Sequence, residues 1–295
     1  MEGFKVYLKT RYEYTNESLE LKTNQIALWK KHLTNYQNLE NIDFKELLKI
    51  IEILSKNYQI STLNNLINTL KTYFYFLIEI KKRENNPLEN FKIKSNKPIL
   101  LQGFLTEEEL QFIYENYPEK QKGKNSLYLK RNKILLGFMI FQGLSTGDLE
   151  VLKVNDIDLK KAQITIPKAT ERKGNPRILQ LQALQILALD DYLNCARDKL
   201  IEQLKADENT LDLFPKRAKS RMKDVVKTIK PDISTYFKIN TLNQFRISRI
   251  ALWLKVFNTR EVQYKSGYKY LSSLEKYHLN ELESLKEAVN KYHTF

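Results

Sequence analysis

The chain has 295 residues and carries 49 Lys+Arg against 35 Asp+Glu, a formal charge of +14 that suits a polyanionic partner. A hydrophobic share of 42% with 11% aromatics excludes a disordered chain, and the length gives two domains that can each bury a core. A single cysteine, Cys195, excludes an intrachain disulfide and fits a reducing, cytoplasmic setting.

The first hundred residues read as helices. In residues 18–35, Leu19, Ile26, Leu28, Trp29 and Leu33 lie near one helical stripe. Residues 43–55 open with Asp43 as N-cap and Glu46 three positions on, the spacing of a capping box. Residues 61–82 repeat the pattern, with Ser61 as cap and Leu63, Leu66, Ile67, Leu70, Phe74, Leu77 and Ile78 at helical spacing. Pro87 and Pro98 then punctuate a basic, non-periodic stretch. The reading is a helical domain over 1–87, a linker over 88–103 and a second domain over 104–295.

The second domain opens with Thr106 as N-cap and Glu109 at the third helical position. A buried helix is expected at about 129–142 and a short one at 147–153. Residues 164–166 (ITI) and 177–181 (RILQL), joined by a charged turn with Gly174-Asn175 near its tip, read as a β-hairpin. Helices return at about 182–205, 241–257, 260–265 and 271–292. The tail carries Leu279, Leu282, Leu285, Ala288, Val289 and Tyr292 on one stripe.

Two chemistries are disfavoured by what is missing. The longest apolar run, Ile134 to Phe141, is far shorter than the roughly 20 residues that span a bilayer, so no membrane partner is expected. No charged-then-apolar leader opens the chain, which agrees with a cytoplasmic protein. The three histidines (His32, His278, His293) and Cys195 do not fall at metal-ligand spacing, so a zinc enzyme is not expected.

The positive charge is spread over both halves and has two local maxima. Residues 215–230 hold seven basic side chains, Lys216, Arg217, Lys219, Arg221 and Lys223 among them, against Asp224 alone. Residues 81–97, which include Lys92 and Lys94, hold six against Glu84 and Glu89. Such stretches neutralise phosphates without reading sequence.

Taken in order, these segments resemble the tyrosine recombinase (phage integrase, Xer-like) family over almost the whole chain. Residues 60–92, ending near Asn86-Pro87, are similar to its core-binding domain, and 105–110 to the start of its catalytic domain. Residues 143–159 (GLSTGDLEVLKVNDIDL) resemble the segment that presents the first catalytic arginine. Residues 172–181 resemble the hairpin that bears the catalytic lysine, and 241–254 the helix with a His-x-x-Arg. Residues 262–277 resemble the terminal segment with Gly-His and, nine positions after that His, the nucleophilic tyrosine. The resemblance implies a mainly α fold with a small β-sheet: a helical, SAM-like core-binding domain followed by an α+β catalytic domain. It also implies that the two basic stretches line a clamp around double-stranded DNA, and that a C-terminal helix, here 278–292, joins protomers of a tetrameric synapse.

Carried over residue by residue, the resemblance makes Tyr277 the nucleophile, Arg246 the second clamp arginine and Lys173 the general acid, with Arg172 fitting the same register equally well. In the family, a tyrosine hydroxyl attacks a phosphodiester, giving a phosphotyrosyl link and a free deoxyribose hydroxyl; the link retains the bond energy, so the resemblance implies neither a cofactor nor a metal. Arginines clamp the non-bridging oxygens because a planar guanidinium binds two of them at once. The departures are specific. Ser145 stands at the first-arginine position, Asn243 where the histidine precedes the second arginine, and Tyr268 where a second His or Trp is expected. Asn and Tyr can hydrogen-bond a phosphate oxygen but shuttle protons poorly near neutral pH. Two readings stay open: a site-specific recombinase or integrase in which Arg131, Arg172 or Arg249 substitutes for the missing arginine, or a catalytically degenerate relative acting as a DNA-binding accessory, plasmid-maintenance or regulatory protein.

Overall fold

In the computed structural model, which describes residues 1–33, 38–94, 103–119, 125–168, 175–239 and 241–277, the chain divides into two units, Met1–Pro98 and Ile99–Phe295. The apolar stripes of the first unit form helices α1 (Glu2–Tyr12), α2 (Asn16–Lys31), α3 (Phe44–Ser55) and α4 (Ile60–Glu79). Asp43 and Glu46 make the anticipated capping box at the start of α3. Helix α4 begins earlier than a Ser61 cap requires: its N-cap is Gln59, whose carbonyl accepts from the Leu63 amide at 2.9 Å. The periodicity reading missed α1, which buries Phe4, Tyr7 and Leu8.

Trp29 is fully buried at the centre of this unit and donates its indole N–H to the Leu66 carbonyl at 3.2 Å, so its one polar atom is satisfied. Arg83 ties down the α2–α3 connection. Its guanidinium donates to the carbonyls of Leu39, Glu40 and Ile42 and lies 4.8 Å from the Phe74 ring. The first part of the anticipated linker packs onto this unit. Leu88 is fully buried, Phe91 and Ile93 lie against the core, and the Asn64 side chain makes hydrogen bonds to both the amide and the carbonyl of Ile93.

The second unit is built around α6 (Ser126–Phe141), whose apolar run leaves no polar face; Ile134 through Phe141 are all buried. Around it stand α5 (Glu107–Glu115), which starts with the expected Thr106–Glu109 capping box, and the short α7 (Thr146–Val151). Strands β1 (Ile157–Asp158), β2 (Gln163–Ile166) and β3 (Arg177–Gln180) form an antiparallel sheet in that order. Ile164 pairs with Leu179, and Ile166 with Arg177. The side-chain period of two sends Arg177 and Leu179 inward and leaves Ile178 and Gln180 exposed. Helices α8 (Ala183–Asp191) and α9 (Arg197–Leu204) are joined by a π-helical turn, Tyr192–Ala196, so the 182–205 segment is nearly continuous.

The basic stretch around residue 220 runs into two short helices, α10 (Met222–Lys227) and α11 (Lys230–Phe237), which hydrophobic periodicity did not reveal. The fold closes with α12 (Asn243–Val256) and α13 (Thr259–Ser266). A 3-10 turn, Leu271–Ser273, comes first, and residues 275–277, Tyr277 among them, are helical, so the helix expected from about 271 starts some four residues later. The hairpin turn 169–174 and the tail 278–295 lie outside the described residues, and with them the expectations placed on Arg172, Lys173 and the 278–292 helix. The architecture is mainly helical with a small antiparallel sheet, as the sequence led us to expect.

Candidate functional site

The segment before α7 turns sharply at Gly143, whose φ of 58° lies in the left-handed region, and Ser145 then caps the helix. Ser145 Oγ donates to Asp148 Oδ2 at 2.7 Å and accepts from the Asp148 amide at 3.2 Å. Position 145 is therefore a helix cap facing a carboxylate, with no charge of its own.

Asp148 is the hub of the site. Its Oδ1 accepts from Arg177 Nη1 at 3.1 Å, and its Oδ2 lies 3.8 Å from Arg246 Nη1. Burial by itself would raise the Asp148 pKa, but the charge and hydrogen bond of Arg177, the Ser145 hydroxyl and the charge of Arg246 outweigh it and hold the carboxyl below its ordinary value. Arg246, on α12, also donates to the Gly143 carbonyl and, at 2.7 Å, to the Ser266 carbonyl. One guanidinium thus ties two segments, 143–148 and the end of α13, to α12.

Above this layer lie the two tyrosines. The Arg246 guanidinium carbon sits 5.1 Å from the Tyr268 ring centre, and the Tyr268 and Tyr277 hydroxyls are 3.4 Å apart. Lys276 Nζ lies 5.7 Å from the Tyr268 ring and 5.2 Å from that of Tyr277. Burial tends to raise the Tyr268 pKa, but the charges of Arg246 and Lys276 and the hydrogen bonds from Tyr277 and Arg246 bring it below the ordinary value. The Tyr277 pKa is raised, by burial and then by its hydrogen bond to Tyr268 and the Tyr268 charge. Tyr277 is 2% exposed, its ring packed with Ile250, Val262 and Leu274 between α12 and α13.

The residues singled out from sequence thus fall into several groups. Arg246, Tyr268, Tyr277 and the Ser145 position converge. Asn243 is exposed on the first turn of α12. Arg249 is committed elsewhere: its guanidinium pairs with Glu107 through two bonds of 2.6 and 2.7 Å and donates to the Ile140 carbonyl. Arg131 donates to Asn132 Oδ1 and lies over Tyr128, lining with Lys216 and Arg217 a separate cavity of about 620 Å³. Lys216 is held by Glu150 at 2.6 Å, whereas Arg217, Lys219, Arg221 and Lys223 are exposed around the start of α10. Lys92 and Lys94, in the first unit, are also exposed.

Arg177 and Asp148 were not recognised as a pair from sequence. Arg177 has a signal of its own: it is in phase with Leu179 on a strand whose other face is exposed, so its charge must point inward. Its Nε donates to the Lys265 carbonyl at 3.0 Å and its Nη1 also to the Asn175 carbonyl at 3.3 Å. The backbone of Gly267 lies directly on the guanidinium; any Cβ there would collide with it, and the φ of 70° also requires glycine.

Chemically, two guanidiniums held around one carboxylate leave a net positive charge beside two phenols, a setting for an anionic group. Among the described residues no cluster of His, Cys, Asp or Glu could hold a metal, and no helix is long and apolar enough to cross a membrane.

No protein-family model matches the chain. It is 27% identical to the tyrosine recombinase XerC of Natranaerobius thermophilus, over 95% of this chain and 96% of that protein. It is 25% identical to the tyrosine recombinase XerA of Pyrococcus furiosus, over 82% and 78%. Among solved structures, the Tn1549 transposon integrase in complex with a circular intermediate DNA superposes with a TM-score of 0.67 at 13% identity, covering 97% of this chain and 98% of that one. The XerH site-specific recombinase bound to a palindromic difH substrate superposes with a TM-score of 0.66 at 20% identity, covering 91% and 77%. At these identities the superpositions establish the fold.

Proposed function

We propose that this chain, which belongs to the tyrosine recombinase family, breaks and rejoins double-stranded DNA at specific sites through a covalent link to Tyr277. In the step proposed, Tyr277 Oη bonds to phosphorus while the bond from phosphorus to one deoxyribose oxygen breaks. The phenolic proton is given up to water, and the departing oxygen takes up a proton to become a free hydroxyl. Reversal by the hydroxyl of another strand rejoins the DNA. Bond energy is kept in the phosphotyrosyl link, so the reaction needs no nucleotide. Arg246 stabilises the charge that develops on the non-bridging oxygens. A general acid from the hairpin turn, Lys173 or Arg172, stands outside the described residues.

One observation carries the reading: Tyr268 joins Tyr277 to Arg246, and Arg246 shares the single Asp148 carboxylate with Arg177, which leaves excess positive charge beside the two phenols. The exposed Arg217, Lys219, Arg221 and Lys223 supply phosphate contacts flanking the site of reaction. The buried, apolar packing of Tyr277 favours the second reading, a relative that binds DNA without cutting it. To separate the two, duplexes are selected from a random library by binding, and the enriched site is rebuilt as a nicked duplex that traps the covalent intermediate. The strand-transfer reading expects a protein–DNA adduct that survives denaturation and is lost in Tyr277→Phe. Tight, salt-sensitive binding without any adduct would establish the non-cutting alternative.

A further inference from the structure

We propose that Arg177 is the second guanidinium of the phosphate clamp, supplying from strand β3 the charge that Ser145 does not provide; the proposal rests on the strand-transfer reading.

Three observations carry it. First, Arg177 and Arg246 reach the same carboxylate, at 3.1 and 3.8 Å from Asp148, so both guanidiniums lie within one ion pair's reach of a common point. Second, the charges do not balance. Two buried fixed cations share one buried carboxylate, and among the described residues no other acidic group lies within ion-pair distance of either guanidinium. An unpaired buried charge is costly, and a phosphate brought between the two arginines would offset it. Third, Arg177 Nη2 is buried and has no hydrogen-bond acceptor among the described residues, although the other guanidinium nitrogens are held by Asp148 and the carbonyls of Asn175 and Lys265. An orphan donor on an otherwise fully held guanidinium calls for an acceptor that arrives with a ligand.

The same geometry covers the clamp. The Gly267 backbone lies on the guanidinium, and Gly267 leads directly to Tyr268, which holds the Tyr277 hydroxyl. Displacement of the 267–277 segment would uncover Arg177 and free Tyr277 together. A lysine at position 177 would keep the charge but lose the planar fork that can bind Asp148 and a phosphate at once.

The test uses the full chain and the nicked duplex carrying the selected site, made with either an ordinary phosphodiester or an uncharged methylphosphonate at the scissile position. For Arg177→Met we expect duplex affinity within about threefold of the parent and adduct formation slower by about 10²–10³-fold on the phosphodiester. On the methylphosphonate, which carries no charge to neutralise, the deficit should shrink to below about tenfold. An unchanged adduct rate on the phosphodiester overturns the proposal. So does an equal loss on both substrates, which would mark Arg177 as a buttress for Asp148 only. If Arg177→Met does not fold, the neutral polar Arg177→Gln carries the same two-substrate comparison. A parent protein that binds its site yet makes no adduct defeats the strand-transfer reading itself, and is told apart by the parent lane alone.

Discussion

Arg177 Nη1 and Asp148 Oδ1 lie 3.1 Å apart with side chains 0% and 7% exposed, an ion pair that joins the third strand of the sheet to the first turn of α7. Arg246 approaches the other oxygen of the same carboxylate. A single buried charge therefore joins β3, α7 and α12.

Removing that charge should be severe. Asp148→Asn leaves two buried guanidiniums without a counter-ion, and breaking a buried pair in this way costs about 3–5 kcal/mol. The pH dependence has a definite sign. Asp148 has a depressed folded pKa, so its contribution is fully present above the ordinary carboxyl value of 3.8 and is lost as pH falls through the lower folded value. Urea unfolding followed by circular dichroism should show a stability gap between parent and variant that is constant from neutral to mildly acidic pH. The gap should close only below pH 3.8.

Gly267→Ala should disturb the site more than the fold. The left-handed φ alone costs a β-carbon roughly 1–2 kcal/mol, and the methyl group also displaces the Arg177 guanidinium. We expect a melting temperature lower by about 2–8 °C, from about 2–4 °C per kcal/mol for a chain of this size class. Adduct formation should fall by more than this loss of stability explains, with duplex binding kept. Calorimetry and the nicked-duplex assay check the two parts.

Tyr268→Phe separates the two phenols. Burial first, and then the Tyr268 hydrogen bond and charge, push the Tyr277 pKa up, so removing the Tyr268 hydroxyl should lower it part of the way toward its ordinary value of 10.0, with burial still holding it above. The phenol that ionises below 10.0 in the parent, Tyr268 itself, disappears. Titration by near-ultraviolet absorbance of parent, Tyr268→Phe and Tyr277→Phe should resolve both changes; a Tyr268→Phe curve identical to the parent's would contradict the pairing.

The exposed cations near α10 should act through phosphates alone. Arg217→Ala and Lys223→Ala should each weaken binding to all duplex sequences alike and reduce the slope of log K against log salt by about 1. Lys216→Ala breaks the 2.6 Å pair with Glu150 and should instead lower stability with little effect on that slope. Binding isotherms at several salt concentrations distinguish the two kinds of cation.

How much of this was legible in the sequence depended on how local the cause is. Helical stripes and capping boxes are set within a few residues, so α3, α5 and α6 could be read directly, along with the alternation of helices and one hairpin. Tyr277 and Arg246 could be singled out because their neighbours in sequence resemble a known order of segments. The order and spacing of the pieces, the spread of positive charge and the missing charge at Ser145 are properties the chain states by itself. The partners of Asp148 are not. Arg177 is 29 positions away and Arg246 is 98, and neither pairing leaves a trace in local periodicity. The inward phase of Arg177 was visible in its alternation with Leu179, but which charge it would meet was not. Only tertiary packing decided that β3, α7, α12 and the Gly267 turn meet at one point, because a buried cation must find its counter-charge wherever the fold places one.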